Sequence, residues 1–178
     1  GWRDEWCSMR AWGQDDEVGL AFERLRDSLA RLPVRKSTYG FVHNDAHAWN
    51  LIFDPESESA RSGGEPELTL IDFDVANYHF FLSDAANALY SIVMMGSGGG
   101  PEMGNPPAGF VEWAFGLFWE GYKRFLDPAL GNLEPLDLFM QYRRCLLFMP
   151  FQEQTAMNPG WRDRWKGKIL SEDARLFG

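Results

Sequence analysis

The spacing of apolar positions changes twice along this chain. Between residues 15 and 32, Val18, Phe22, Leu25, Leu29 and Leu32 recur at intervals of four, three, four and three. That spacing lines one face of an α-helix and predicts a helix there. Asp15, Asp16 and Glu17 suit its positive amino end, Arg31 suits its other end, and Pro33 stops it. Residues 39–42, YGFV, are aromatic and β-branched and read as an extended run. Leu51, Ile52 and Phe53 read as a short buried strand, and residues 68–73 as the next. Between them, residues 54–66, DPESESARSGGEP, mix Pro, Ser and Gly with charge and mark an exposed loop. The two strands form a hairpin with a long tip, which brings residues 43–50 near residues 72–74.

From Ser83 onward the helical period returns. Ser83 is placed as the N-cap of a helix over residues 84–95. Phe110, Trp113, Ala114, Leu117, Phe118, Tyr122 and Phe125 line one face of a second helix. A third covers residues 136–148, bent or ended by Pro150. Trp161, Trp165 and Ile169, four apart, mark the last, and these aromatic stripes read as core. Residues 96–107, GSGGGPEMGNPP, form a connection that resembles a phosphate loop only in composition. They lack G-x-x-x-x-G-K-[ST], and no strand-like run leads into them. The chain has no internal repeat. The expectation is one domain over residues 1–178, α+β but predominantly α, with a small embedded β-hairpin.

Composition narrows the possible partners. The 178 residues are 45% hydrophobic, with 14 Phe and 8 Trp, enough apolar bulk for a substantial core. The net charge of -9 repels a phosphate backbone, so nucleic acid is not an expected partner. The same field suits solubility, and also a cationic substrate such as an amine. Cys7 and Cys145 alone make no disulfide framework or zinc cluster and read as ordinary thiols in a reducing compartment. No apolar run is long enough to span a bilayer, and the first ten residues lack the apolar core of a signal peptide. The expected location is therefore cytoplasmic, with no membrane partner.

Two clusters carry chemistry. The first is His43-Asn44-Asp45-Ala46-His47-Ala48-Trp49-Asn50, and the second is Ile71-Asp72-Phe73-Asp74. Asp45 and Asn50 stand five apart, as in the kinase catalytic loop H-R-D-x-x-x-x-N, and the second cluster stands where kinases carry D-F-G. Phosphoryl transfer asks for a carboxylate to take or orient the acceptor hydroxyl proton, and for oxygen ligands to magnesium. Asp45 suits the first task. Asn50 and Asp72 suit the second, because Mg²⁺ is a hard ion that prefers carboxylate and amide oxygen.

The two motifs, in this order and separation, resemble the aminoglycoside phosphotransferase and choline kinase group, whose loop usually reads H-G-D-x-H-x-x-N. The stretch LTLIDFDVANYHFFLSDAANALY resembles that family's metal-binding strand and following helix, with Asp84 as the acidic residue at the helix start. The resemblance covers about residues 39–95 well. It implies the C-terminal lobe of a protein-kinase-like fold, with the catalytic loop at 43–50, a metal-binding segment at 71–74 and a helical remainder over 83–177. It further implies ATP-dependent phosphorylation of a small-molecule hydroxyl, on an aminoglycoside, choline or homoserine-like acceptor, with Mg²⁺ and ATP as cofactors. By position, Asp45 matches the catalytic Asp, and Asn50 and Asp72 match the metal ligands. His43 matches a loop His that is more structural than chemical. His47 and Asp74 match positions near substrate or metal. His79 has no motif around it and reads as structural.

There are departures from the family pattern. Asn44 stands where Gly is usual, and Asn is the next most tolerant residue for positive φ. Trp49 replaces a small residue, and either narrows the acceptor pocket or packs inward. Lys36 is the only Lys before the catalytic stretch, and it lies in a polar RKST segment. The lobe whose strand Lys and helix Glu hold the nucleotide phosphates is therefore expected to be absent from this chain and supplied in cis or in trans. Two other readings stand beside the kinase. One is a metal-dependent hydrolase built on His43, Asp45 and His47. The other is a non-catalytic lobe used for binding or dimerisation.

Overall fold

The computed structural model describes residues 1–5, 15–96, 107–125, 135–152 and 159–171. Most of the glycine-rich connection at 96–107, and Cys7, lie outside the described residues. A helical turn occupies residues 2–5. Helix α1 spans Asp16–Ala30, and the Asp15 side chain caps it by accepting the Val18 N–H at 3.2 Å. Four short strands follow: β1 (Tyr39–Val42), β2 (Leu51–Asp54), β3 (Glu67–Leu70) and β4 (Asn77–Phe80). A four-residue helix α2 (Glu58–Arg61), capped by Ser57, sits in the hairpin tip. The remaining helices are α3 (Phe81–Gly96), α4 (Phe110–Tyr122), α5 (Leu136–Phe151) and α6 (Pro159–Leu170).

The apolar stripe of α1 buries Val18, Phe22 and Leu29, as its spacing requires. It packs against α5, which also packs on α3 and α6. Phe22, Tyr90, Phe139, Phe148 and Trp165 form the centre of this core. Each large side chain fully buried there contributes about 1.5–3 kcal/mol relative to exposure. Asp15 also pins α6 to the start of α1, through Lys166 Nζ at 2.9 Å and Arg162 Nη2 at 3.4 Å. Pro150 lies inside α5 near its end, where little of the helix is left to lose a hydrogen bond.

His79 is wholly buried in an aromatic nest of Trp2, Phe139 and Tyr142, with ring centroids 5.4–5.8 Å away. Burial pushes its pKa down to about 3. It is a neutral, structural residue, as its lack of a motif suggested.

Four expectations need correction. First, the described residues make two small sheets rather than one hairpin. β2 and β3 form the expected antiparallel pair, with Leu51 opposite Leu70. β1 pairs antiparallel with β4, with Tyr39 opposite Phe80, across a long sequence separation. Second, β3 ends at Leu70 and leaves Ile71–Phe73 in a loop. Third, β2 is exposed along its whole length. Fourth, Ser83 is not a cap. β4 runs directly into α3, with the Phe81 N–H donating to Thr38 C=O at 2.9 Å, so the helix starts before Ser83 and buries it. In α4, Ala114 is buried and Phe115, Phe118 and Tyr122 pack on the core, whereas Trp113, Leu117 and the following Phe125 are exposed. Only one face of that helix has a partner among the described residues.

Candidate active site

β1 delivers the chain at Val42 into the loop that begins with His43. Two backbone N–H groups at the start of this loop, those of His43 and Asn44, donate to the two carboxylate oxygens of Asp84 at 2.8 and 2.7 Å. Asp84 stands in the first turn of α3. Burial pushes its carboxyl above the ordinary range. The two N–H bonds pull it back, as does the charge of Arg143. Asp84 thus fixes where the loop starts.

Asn44 has φ 66°, the left-handed conformation that its place in the motif suggested. Its polar groups tie it into the fold. Its side-chain Nδ2 donates to Glu5 Oε1 at 2.8 Å, and its carbonyl accepts from Asn87 Nδ2 of α3. Glu5 also accepts from Asn77 Nδ2 and, through Oε2, from the Tyr142 hydroxyl, both at 2.8 Å. Burial, with Glu5 beside it, pushes the Tyr142 phenol far up, so that group stays protonated and donates. The helical turn at 2–5, β4 and α5 therefore all converge on the left-handed residue.

His43 is buried and joins the two motifs. Its Nε2 donates to Ile71 C=O at 2.8 Å, which leaves Nδ1 to accept the Asp45 N–H at 3.3 Å. Its ring lies 4.4 Å from that of Phe73. Both ring nitrogens are thus engaged within the protein.

Asp45 follows with its carboxylate partly exposed. Arg143 Nη2, from α5, donates to Oδ1 at 2.7 Å. His47 Nε2 lies 3.3 Å from Oδ2. The Asp45 carbonyl accepts the His47 N–H at 2.8 Å and Asn50 Nδ2 at 3.0 Å. Asn50 ends a single turn of 3₁₀-helix, Ala48–Asn50, whose first N–H is held by Ser91 Oγ of α3 at 3.1 Å. Asn50 is buried, and with its amide nitrogen committed to Asp45 its side-chain oxygen is the group left for a cation. Trp49 turns outward, exposed, with its ring edge-on to His47 at 5.6 Å.

The second motif lies beside the first. Ile71 N–H donates to Asn50 C=O at 3.0 Å, so Asp72 comes one residue after a direct backbone link to Asn50. Asp72 has φ 67°, a strained conformation for a residue with a Cβ, and it is exposed. Asp74 is exposed in the turn closed by Ala76 N–H on Phe73 C=O.

The Asn50 amide oxygen and the Asp72 carboxylate, on loops joined by the Ile71–Asn50 backbone bond, are hard-oxygen donors of the kind that suits Mg²⁺. A transition-metal cage is a different matter. Among the described residues no group of three or more His, Cys, Asp or Glu side chains could hold a metal ion. His43 has no ring nitrogen left to offer, so the His43, Asp45 and His47 cluster does not make the hydrolase site considered from the sequence.

Sequence reasoning missed Arg143, which reaches Asp45 from 98 positions away. It also missed Glu5, Asn87, Ser91 and Tyr142. Nothing in local spacing marks these residues, since each meets its partner only through packing between segments far apart in sequence. Beside the site, the apolar side chains of Ile52, Phe53, Leu68 and Phe73 are exposed.

The profile of the phosphotransferase enzyme family (APH) matches residues 2–113, more than half of the chain. The chain is 27% identical over 166 residues to an amicoumacin kinase of Bacillus subtilis (strain 168), covering 88% of this chain and 44% of that protein. It also superposes on the solved structure of amicoumacin kinase hAmiN, in complex with AMP-PNP, Ca²⁺ and Ami. There the TM-score is 0.74 at 20% identity, covering 96% of this chain and 49% of the other. The chain spans about half the length of these relatives.

Proposed function

This chain belongs to the phosphotransferase enzyme family, and we propose that it is the catalytic-loop lobe of an ATP-dependent kinase acting on a hydroxyl of a small molecule. In this reading it corresponds to the C-terminal lobe of a protein-kinase-like fold. The observation that carries the proposal is one hydrogen-bonded chain: Asp45 C=O to Asn50 Nδ2, Asn50 C=O to Ile71 N–H, and Ile71 C=O to His43 Nε2. It ties the base, the amide ligand and the neighbour of the carboxylate ligand into one unit.

In the reaction, the acceptor oxygen bonds to the γ-phosphorus as the bond from that phosphorus to the β–γ bridging oxygen breaks, and ADP leaves. The acceptor proton passes to Asp45 Oδ2, the oxygen that Arg143 does not occupy. The Asn50 side-chain oxygen and the Asp72 carboxylate would hold Mg²⁺, which would offset charge on the nucleotide phosphates. His47, partly exposed beside Asp45, and the exposed Asp74 are assigned to contacts with the acceptor or metal water. Aminoglycosides, choline and homoserine are candidate acceptors. Amicoumacin, named for both relatives, is the first to test.

None of the four described strands carries a lysine, so the clamp on the α- and β-phosphates is assigned to a separate nucleotide lobe, in cis or in trans. The exposed apolar side chains of the β2–β3 hairpin support a covering of that kind. An ATP-using enzyme with a buried free thiol at Cys145 suits the cytoplasm. Among the described residues no helix is long and apolar enough to cross a membrane.

The test is ADP release with the acceptor panel and MgATP, comparing the protein that carries this chain with the 178 residues alone. The first is expected to turn over and the second to do so little or not at all. Robust acceptor phosphorylation by the isolated chain would overturn the assignment of a separate nucleotide lobe. Absence of acceptor-dependent turnover in the longer protein would overturn the kinase reading.

A further inference from the structure

Asp45 is held at every polar group except one. Its N–H goes to His43 Nδ1, and its C=O takes Asn50 Nδ2 and the His47 N–H. Those bonds fix its backbone and leave the carboxylate free to rotate about its side-chain bonds. Among the described residues, the one hydrogen bond to the carboxylate is that of Arg143 to Oδ1, at 2.7 Å. His47 Nε2, 3.3 Å from Oδ2, is within ion-pair range but makes no hydrogen bond to it. The Arg143 side chain is only 17% exposed, against 29% for Asp45. It arrives from α5, an element packed into the core on three sides, so its own position is fixed by the fold.

We propose that Arg143 is a positioning residue of this site: anchored on α5, it grips Asp45 Oδ1 so that Oδ2 alone is presented to the acceptor hydroxyl. The proposal rests on the phosphotransferase reading and deepens it. A short charge-assisted bond from a guanidinium fixes the orientation of the carboxylate plane more firmly than a point charge does. A base misplaced by an ångström costs on the order of 10²-fold in rate while leaving binding intact.

The experiment uses the protein that carries this chain, with the variants R143K, R143Q, R143A and D45N. Steady-state kcat and KM are measured with MgATP and the best acceptor among amicoumacin, an aminoglycoside, choline and homoserine. R143Q is expected to lower kcat by about 10²-fold with little change in either KM, and R143K to recover part of that loss. Guanidinium ion at millimolar concentration is expected to raise the kcat of R143A at least severalfold. A folding defect would respond in the opposite sense, because guanidinium is a denaturant. A folded R143Q with the parent kcat overturns the proposal. So does an R143A that guanidinium does not restore while R143K is no better than R143Q. Turnover that depends on Asp45 but is indifferent to Arg143 sinks the proposal alone. If no acceptor gives Asp45-dependent turnover, the kinase reading falls and this proposal with it.

Discussion

Replacing His79 with phenylalanine should remove an acid sensitivity built into the core. His79 is wholly buried among Trp2, Phe139 and Tyr142, and burial lowers its pKa from 6.5 to about 3. The unfolded chain therefore binds a proton below about pH 6.5 that the folded chain refuses until about pH 3. Stability contributed by this group is fully present above the unfolded value. It falls as the pH drops through the window between those two values, at up to 1.36 kcal/mol per pH unit. The loss amounts to about 2 kcal/mol by pH 5 and approaches about 5 kcal/mol near pH 3. The phenyl ring of the H79F variant could not titrate. The substitution would cost a fixed amount, about 1–3 kcal/mol, because the Phe80 N–H now donated to His79 Nδ1 at 2.7 Å would lose its acceptor. The assay is urea unfolding of wild type and H79F at pH 7.5, 6 and 5. The two stabilities should converge as the pH falls, because wild type alone carries the histidine proton. Curves that stay parallel between pH 7.5 and 5 would refute the reasoning.

Asp84→Asn should weaken the start of the catalytic loop, because an amide has one acceptor oxygen for two backbone donors. The unpartnered N–H of His43 or Asn44 costs about 1–3 kcal/mol, read as a lower urea midpoint with a parallel fall in kcat. An unchanged midpoint would count against the Asp84 anchor. Asn44→Ala should cost about 1–2 kcal/mol for the left-handed backbone alone, plus about 1 kcal/mol for the lost Glu5 bond. Asn44→Gly loses only the bond, so thermal unfolding should rank Gly above Ala, and equal stabilities would contradict the φ argument.

Much of the site was legible in the sequence because its spacing is local. Asp45 and Asn50 sit on one loop, and the pairing of Leu51 with Leu70 follows from two short apolar runs around a polar tip. The tolerance of Asn44 for positive φ could also be read in advance, since it depends on one residue's backbone. The second sheet was not legible. Asn77–Phe80 passes into α3 without a turn residue, so no local signal separates strand from helix. The exposure of Leu51, Ile52 and Phe53 also escaped, because apolar character reports burial in whatever covers a strand, and here that cover is not part of the described fold. Arg143 and Glu5 belong to the same class. Their partners lie 98 and 39 positions away, and only packing brings them together.

A divalent cation held between two oxygens of the adjoining loops is the centre of the proposed site. Crystals of the protein carrying this chain, grown with AMP-PNP and Mn²⁺ in place of Mg²⁺, would locate that ion by its anomalous scattering. The predicted peak lies about 2.1 Å from both Asn50 Oδ1 and an Asp72 carboxylate oxygen, with the γ-phosphate facing Asp45 Oδ2. A nucleotide-bound ion that touches neither residue would contradict the account.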